Sequence, residues 1–297
     1  MKILLFGKGG QVGWELQRAL APLGNVIALD FDNSGELSGD FSQPDAVAAT
    51  VRKVAPALIV NAAAHTAVDK AESEPELARM LNATTPGRIA AEAAALGAHL
   101  IHYSTDYVFD GSGDAPRDET AQTNPLSVYG RTKLEGEQLI AASGAHHLIL
   151  RTSWVYAARG GNFAKTMLRL ARERDRLTVI SDQFGAPTGA ELLADITAHT
   201  ARALRHNPQL AGLYHCVAAG ETSWHGYAMH VIETARAAGH DIKVGADAVL
   251  PIPTSDYPTP AARPLNSRLD TRKLHDTFGL VLPHWQLGVD RMLAEIL

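Results

Sequence analysis

Tyr129 is followed four residues later by Lys133, inside Val128-Tyr129-Gly130-Arg131-Thr132-Lys133. On a helix that spacing places a phenol and an ammonium on one face, one turn apart. A cation held about 4 Å away, at an effective dielectric of about 20, favours the tyrosinate by at most about 4 kcal/mol. That corresponds to roughly three pKa units, enough to bring a phenol from about 10 towards neutrality and to make it a proton donor and acceptor at cellular pH. The spacing alone decides little. Seven tyrosines and eight lysines in 297 residues give about 0.2 such pairs by chance, and an exposed helix face carries Tyr and Lys as readily.

A second chemical signal opens the chain. Gly7-Lys8-Gly9-Gly10-Gln11-Val12-Gly13 joins an apolar run at 2–6 to a helix-like stretch at 14–20. Glycines at 7, 10 and 13 allow a tight turn and a close backbone approach to a pyrophosphate, with Gln11 and Val12 leading into a helix N-terminus aimed at its charge. Asp30, about twenty residues past Gly10, sits where an acid bonds adenosine ribose hydroxyls, which favours NAD over NADP. Lys8 and Arg18 could still meet a 2′-phosphate, so NADPH and NADH both stay open. Asp40 and Phe41 fit an adenine contact, or simply a loop acid and a core aromatic. In Asn61-Ala62-Ala63-Ala64-His65-Thr66, small side chains let the backbone approach a cofactor. Tyr103-Ser104-Thr105-Asp106 ends on hydroxyls, of which Thr105 is the better placed to bond a substrate carbonyl, with Ser104 as the alternative.

The elements that must position these groups follow from periodicity. Strands are expected at 2–6, 26–29, 58–61, 99–103 and 147–151, and helices at 13–20, 44–54, 75–95 and 128–142. Such alternation means parallel strands joined by right-handed crossovers, hence an α/β, doubly wound parallel sheet of Rossmann type. Beyond Thr152, helices at 162–174 and 190–205 and extended runs at 177–181 and 212–217 continue the rhythm. Residues 1–150, continued by about 175–218, are read as the dinucleotide-binding domain. Residues 151–174 and 219–297 are read as a smaller, discontinuous α/β substrate-binding region. Five prolines between 251 and 264 make residues 250–264 an irregular segment, of the kind that carries function.

Composition removes other classes. At 46% hydrophobic, 20% charged and net −5, the chain offers no basic stripe for nucleic acid and no polybasic segment for a membrane. No run of 18 apolar residues exists, and the apolar opening is too short for a signal peptide, which points to the cytoplasm. A single cysteine, Cys216, excludes internal disulfides. The thirteen histidines are scattered, and His225 and His230 lie five apart rather than four.

Together, Gly7-x-x-Gly10-x-x-Gly13, Asn61-Ala62-Ala63, Ser104-Thr105-Asp106-Tyr107-Val108-Phe109-Asp110-Gly111 and Tyr129-Gly130-x-Thr132-Lys133 resemble the extended short-chain dehydrogenase/reductases. Arg151-Thr152-Ser153-Trp154-Val155-Tyr156, Asp182-Gln183-Phe184-Gly185-Ala186-Pro187-Thr188 and Arg263-Pro264-x-Asn266-Ser267 narrow the resemblance to their dTDP-4-dehydrorhamnose reductase branch, nearly end to end. The resemblance implies hydride transfer from NADPH or NADH to the C4 ketone of a dTDP-sugar. It makes Tyr129 the acid, Lys133 the holder of the nicotinamide ribose and Thr105 the partner of the reacting oxygen. Gly7, Gly10, Gln11, Val12, Gly13, Asp30, Asp40, Phe41, Ala63, Ala64, His65 and Thr66 would face the cofactor. Asp106, Trp154, Arg263 and Asn266 would face the sugar nucleotide, Trp154 as a flat wall and Arg263 as a fork for the diphosphate. It further implies a homodimer, with Mg²⁺ at its interface on Glu15, Glu191 and Glu295, and a product used in lipopolysaccharide O-antigen. A dehydratase of the same fold needs Asp-Glu after the strand-end Thr, where this chain has Asp106-Tyr107. A non-catalytic regulatory relative would have no need of Thr105, Tyr129 and Lys133 together.

Overall fold

The computed structural model describes residues 1–32 and 35–297. Its first strand, β1 (Lys2–Phe6), sorts its apolar side chains by parity. Ile3 and Leu5 pack with Leu16, Leu20, Leu193 and Leu204, whereas Leu4 and Phe6 pack with Val47, Val51, Ile89 and Ile140. A strand buried on both faces belongs inside a helix-covered parallel sheet.

The chain builds that sheet by alternation. After β1 come α1 (Gln11–Leu20), β2 (Asn25–Leu29), α2 (Pro44–Val54), β3 (Leu58–Asn61), α3 (Val68–Ser73), α4 (Pro75–Arg79), α5 (Thr85–Leu96), β4 (His99–Thr105), α6 (Val128–Ala142) and β5 (His147–Thr152). Then follow β6 (Val155–Tyr156), α7 (Phe163–Glu173), β7 (Leu177–Ile180), β8 (Phe184–Gly185), β9 (Thr188–Gly189), α8 (Ala190–His206) and β10 (Gly212–His215). The last part holds β11 (Thr222–Ser223), α9 (Trp224–Ala237), β12 (Val249–Ile252), α10 (Arg272–Phe278) and α11 (Trp285–Ile296). Six strands pair in the order β2-β1-β3-β4-β5-β10, all parallel. The order turns back between β1 and β3, so crossovers leave in opposite directions and open a crevice at the carboxyl ends. Register sets what meets there. Phe6 lies beside Leu29 and Asn61, Asn61 beside His102, and Thr105 beside Thr152.

Three expectations change. The helix expected over 75–95 is interrupted by a π turn at Met80–Thr84. Pro86, in the first turn of α5, has no N–H to continue the ladder, and the wider turn absorbs the break. The run at 177–181 does not extend the main sheet as expected for a domain resuming at about 175. It forms β7, which pairs in parallel with β12, while α8 and β10 return to the main sheet. The proline-rich segment contains a regular element after all: Pro251 lies within β12, beside Val179. Proline is tolerated because this two-stranded ribbon leaves β12 an open edge. Below the ribbon, Tyr227, Val231, Trp285 and Val289 form one small core and Met167, Val179, Ile232 and Val249 another.

Candidate active site

At the carboxyl ends of β1, β3, β4 and β5 the structure has a cleft of about 750 Å³. Its floor begins at the glycine turn. Gly7 has φ +82, and a Cβ there would stand 2.7 Å from the Ala62 carbonyl carbon and from Ala63 N, so only glycine allows this approach. Gly13 packs its bare Cα against Gly7 from behind and does not itself line the cleft. Gly7, Gly10, Gln11, Val12, Asp30, Asp40, Phe41, Ala63, Ala64 and Thr66 do line it. Asp30 already works for the loop: its carboxylate accepts the Gly9 N–H at 2.7 Å and the Phe31 N–H at 2.9 Å. Asp40 is likewise occupied, taking the Ser42 N–H at 2.9 Å and the Gln43 amide at 2.7 Å. His65 lies behind the wall, its backbone N–H on Asn82 Oδ1 at 2.8 Å and its ring 3.6 Å from Glu74.

Helix α6 delivers the Tyr-Lys pair. Ser127 caps it by accepting the Gly130 N–H at 3.1 Å, and Gly130 has no side chain to strike the Tyr107 carbonyl. Tyr129 and Lys133 both line the cleft, with Thr105 and Asp106 beside them. The electrostatics differ from the expectation. Lys133 Nζ donates to the Tyr103 carbonyl at 2.6 Å and lies 3.2 Å from His102 Nε2. Burial pushes Lys133 down to about 8, with Glu137 opposing. Burial pushes the Tyr129 phenol up to about 12; a hydrogen bond with Thr105 opposes this and Asp106 adds to it. Lys133 therefore does not bring the phenol towards neutrality in the protein alone, and Tyr129 holds its proton. The expectation failed because spacing shows that two side chains share a helix face, not that burial outweighs their attraction.

Asp106 is 2% exposed, and burial raises its carboxyl to about 6, against hydrogen bonding that includes the one from Thr105. Thr105 donates to Asp106 Oδ1 at 3.0 Å and accepts the Tyr107 N–H at 3.2 Å. Four buried polar atoms around this point have no partner: Ser104 Oγ, Asp106 Oδ2, Thr152 Oγ1 and Ser153 Oγ. All four residues line the cleft, and buried polar groups left open in a cleft are a ligand's partners in waiting.

Trp154 forms the far wall and is strained, with φ +49. Gly185 makes room for it, since a Cβ there would be 2.9 Å from the indole. Sequence reasoning missed its neighbour. Trp224 stacks on Trp154 at 3.7 Å between ring centres and 16° between planes, and donates its N–H to Gln183 at 3.1 Å. A lone tryptophan after a capping serine carries no local signal; only the fold brings it to Trp154.

Arg263 and Asn266 do not line the cleft. Arg263 grips Asp69 with both nitrogens, at 3.2 and 2.8 Å, fastening the proline-rich segment to α3, whose Val68 does line it. Asn266 is 2% exposed and holds the Ala115 carbonyl at 2.9 Å and the Arg268 N–H at 3.2 Å. Glu15, Glu191 and Glu295 are near enough for the other two to raise Glu191, after burial. Arginines already serve them: Arg18 lies 3.5 Å from Glu15, and Arg291 lies 3.4 and 3.8 Å from Glu191 and Glu295. Among the described residues no three His, Cys, Asp or Glu side chains are grouped to hold a metal ion. Within one chain these three glutamates do not by themselves make a metal site.

Comparison with known proteins agrees with this architecture. The family model described as the RmlD substrate binding domain matches residues 1–297. A dTDP-4-dehydrorhamnose reductase of Shigella flexneri is 63% identical over 296 residues, covering 100% of this chain and 98% of that protein. One from Salmonella typhimurium is 62% identical with the same coverage. The crystal structure of a Clostridium acetobutylicum dTDP-4-dehydrorhamnose reductase superposes with a TM-score of 0.88 at 36% identity, covering 100% and 99% of the two chains. A Bacillus anthracis dTDP-4-dehydrorhamnose reductase, solved in complex with NADP, gives 0.87 at 34% identity, covering 99% of each. The chain belongs to the RmlD family, that of the dTDP-4-dehydrorhamnose reductases.

Proposed function

We propose that this protein reduces the C4 ketone of dTDP-4-dehydro-β-L-rhamnose to give dTDP-L-rhamnose, using NADPH or NADH. The observation that carries the reading is one cleft with the glycine turn at one end, Thr105, Tyr129 and Lys133 at its middle and the Trp154–Trp224 stack at the other. The nicotinamide cofactor, when bound, supplies the hydride. Gly7, Gly10, Gln11 and Val12 fit its pyrophosphate as a glycine turn that lines the cleft and opens onto the N-terminus of α1, and the open hydroxyls of Thr152 and Ser153 offer hydrogen bonds in the same cleft. Asp30 and Asp40 flank the adenosine end.

Tyr129 then acts as general acid towards the nascent alkoxide. Its high proton affinity keeps the phenol protonated until negative charge develops on the substrate oxygen beside it. Thr105 turns its single hydroxyl proton from Asp106 to that oxygen, so the two hydroxyls together donate to the developing charge. Trp154 and Trp224 wall the sugar nucleotide. Arg263 acts at one remove, by holding Asp69 and α3 in place. Incubation with the keto sugar nucleotide and NADPH tests the reading: substrate-dependent cofactor oxidation is expected, and none with either cofactor would refute it.

Of the finer assignments, residues 1–150 with α8 and β10 as the cofactor half rest on the strand–helix alternation, a cytoplasmic location rests on the sequence reading, and a homodimer and a product destined for O-antigen rest on the family resemblance. Among the described residues no helix is long and apolar enough to cross a membrane. Sedimentation with and without chelator tests the dimer, and an unchanged dimer would also exclude a metal bridge.

A further inference from the structure

Behind Lys133 lies a buried chain of polar groups whose hydrogens can be counted. A backbone N–H only donates, and that of Ala63 donates to Asn61 Oδ1 at 3.0 Å, which fixes Asn61 with Nδ2 towards His102. That Nδ2 also only donates, and it lies 2.9 Å from His102 Nδ1. A neutral imidazole has one hydrogen, so an accepting Nδ1 leaves the hydrogen on Nε2. Nε2 faces Lys133 Nζ at 3.2 Å, and Nζ donates to the Tyr103 carbonyl at 2.6 Å. Each of these contacts therefore pairs a donor with an acceptor when Lys133 is a neutral amine, whose lone pair takes the Nε2 hydrogen. A charged Lys133 has no lone pair. Nε2 must then accept and the ring hydrogen must move to Nδ1, where it meets Asn61 Nδ2 donor to donor unless Asn61 turns and releases Ala63. An imidazolium would put donors on both sides, and burial, Lys133 and His147 all hold His102 well below the usual histidine range.

We propose that His102 is a positioning residue whose tautomer is coupled to the charge on Lys133, with Asn61 carrying that coupling to the Ala63 amide in the cleft wall. The proposal rests on the reading of Lys133 given above. His102, Asn61 and Lys133 are 1, 1 and 2% exposed, so no solvent competes for these bonds. The ionisable groups around the pair are Glu137 and Tyr129 on α6, His147 on β5, and Arg151 on β5, which holds Glu137 at 2.7 Å. With Lys133 near 8, both of its charge states are reached under ordinary conditions.

Nitrogen-15 NMR of histidine-labelled full-length protein tests this, with His102→Gln assigning the resonances. The expected result is a His102 that stays neutral, with its hydrogen on Nε2 above a midpoint near pH 8 and on Nδ1 below it. Lys133→Met should leave a single, pH-independent tautomer. One tautomer throughout in the wild type, or a His102 that becomes charged, would overturn the proposal. A second arm uses catalysis. In His102→Gln an amide oxygen accepts from the ammonium without a tautomer change, so the Lys133 limb of the kcat/KM profile should move up by about one pH unit, a tenfold change in proton affinity. A slower enzyme with that limb unmoved would leave His102 merely structural and refute the coupling. If His102→Gln fails to fold, the wild-type and Lys133→Met titrations decide alone. A wild type that titrates as described yet does not reduce the keto sugar would refute the proposed function and leave the coupling standing.

Discussion

Tyr129→Phe removes one hydroxyl and leaves the rest of the residue where it is. The ring packs edge-on against Tyr107, 5.4 Å between centres at 78°, a contact that phenylalanine keeps. What is lost is the proton and the hydrogen bond with Thr105. General acid catalysis contributes roughly 10²–10⁴ in rate, or about 2.7–5.5 kcal/mol of barrier, so kcat should fall by at least about 10². One hydrogen bond contributes about 1 kcal/mol net to folding, so stability should move by no more than about that. With the phenol at about 12, Tyr129 itself should give no limb in the free-enzyme profile at neutral pH. Steady-state turnover, cofactor titration and denaturant unfolding on the same preparation separate these terms. A kcat near that of the wild type would refute the assignment of Tyr129 as acid. So would a loss of rate matched by an equal loss of cofactor affinity, because the role would then be binding.

Other outcomes follow from buried charge. Burial raises Asp106 from the ordinary 3.8 to about 6, so its contribution favours folding fully below 3.8 and is lost as pH rises through 6. About two pKa units at about 1.4 kcal/mol each is worth about 3 kcal/mol, so Asp106→Asn should gain on the wild type in denaturant melts as pH rises from about 4 to about 7.5. A gap that does not change with pH would contradict this. Glu137 meets Arg151 through two bonds of 2.8 and 2.7 Å with both side chains buried. Glu137→Gln should therefore lose about 3–5 kcal/mol of stability, and Glu137→Leu with Arg151→Met considerably less; additive losses in that double variant would argue against a coupled pair. Arg263→Ala and Asp69→Asn should each raise the KM for the sugar nucleotide far more than they change NADPH affinity. Equal effects on both ligands would show that the clamp does not serve the sugar side.

The first half of the chain was readable because its signals are local. The apolar run of β1, glycines at fixed offsets and the helical periodicity of α6 each determine their own geometry within a few residues. The cleft followed, because a parallel sheet brings the ends of successive strands together. The rest depended on distant partners. Arg263 finds Asp69 across 194 residues, and nothing near either one announces the pair. Trp224 reaches Trp154 only after α9 folds against β7 and β12. Pro251 looked incompatible with a strand until β7 supplied a partner on one side and left the other open. The Tyr129–Lys133 spacing was legible, but the balance between burial and charge that sets both proton affinities belongs to the packed interior.

The central claim concerns one bond, from the nicotinamide to C4 of the sugar. Wild-type protein should be incubated with dTDP-4-dehydro-β-L-rhamnose and NADPH deuterated in turn at each face of the nicotinamide C4, and the product examined by NMR. One of the two cofactors should place deuterium at sugar C4 in a product of rhamno configuration, with Tyr129→Phe forming it slowly at the same carbon. Deuterium at another carbon, a product of different configuration at C4, or no transfer from either cofactor would contradict the account.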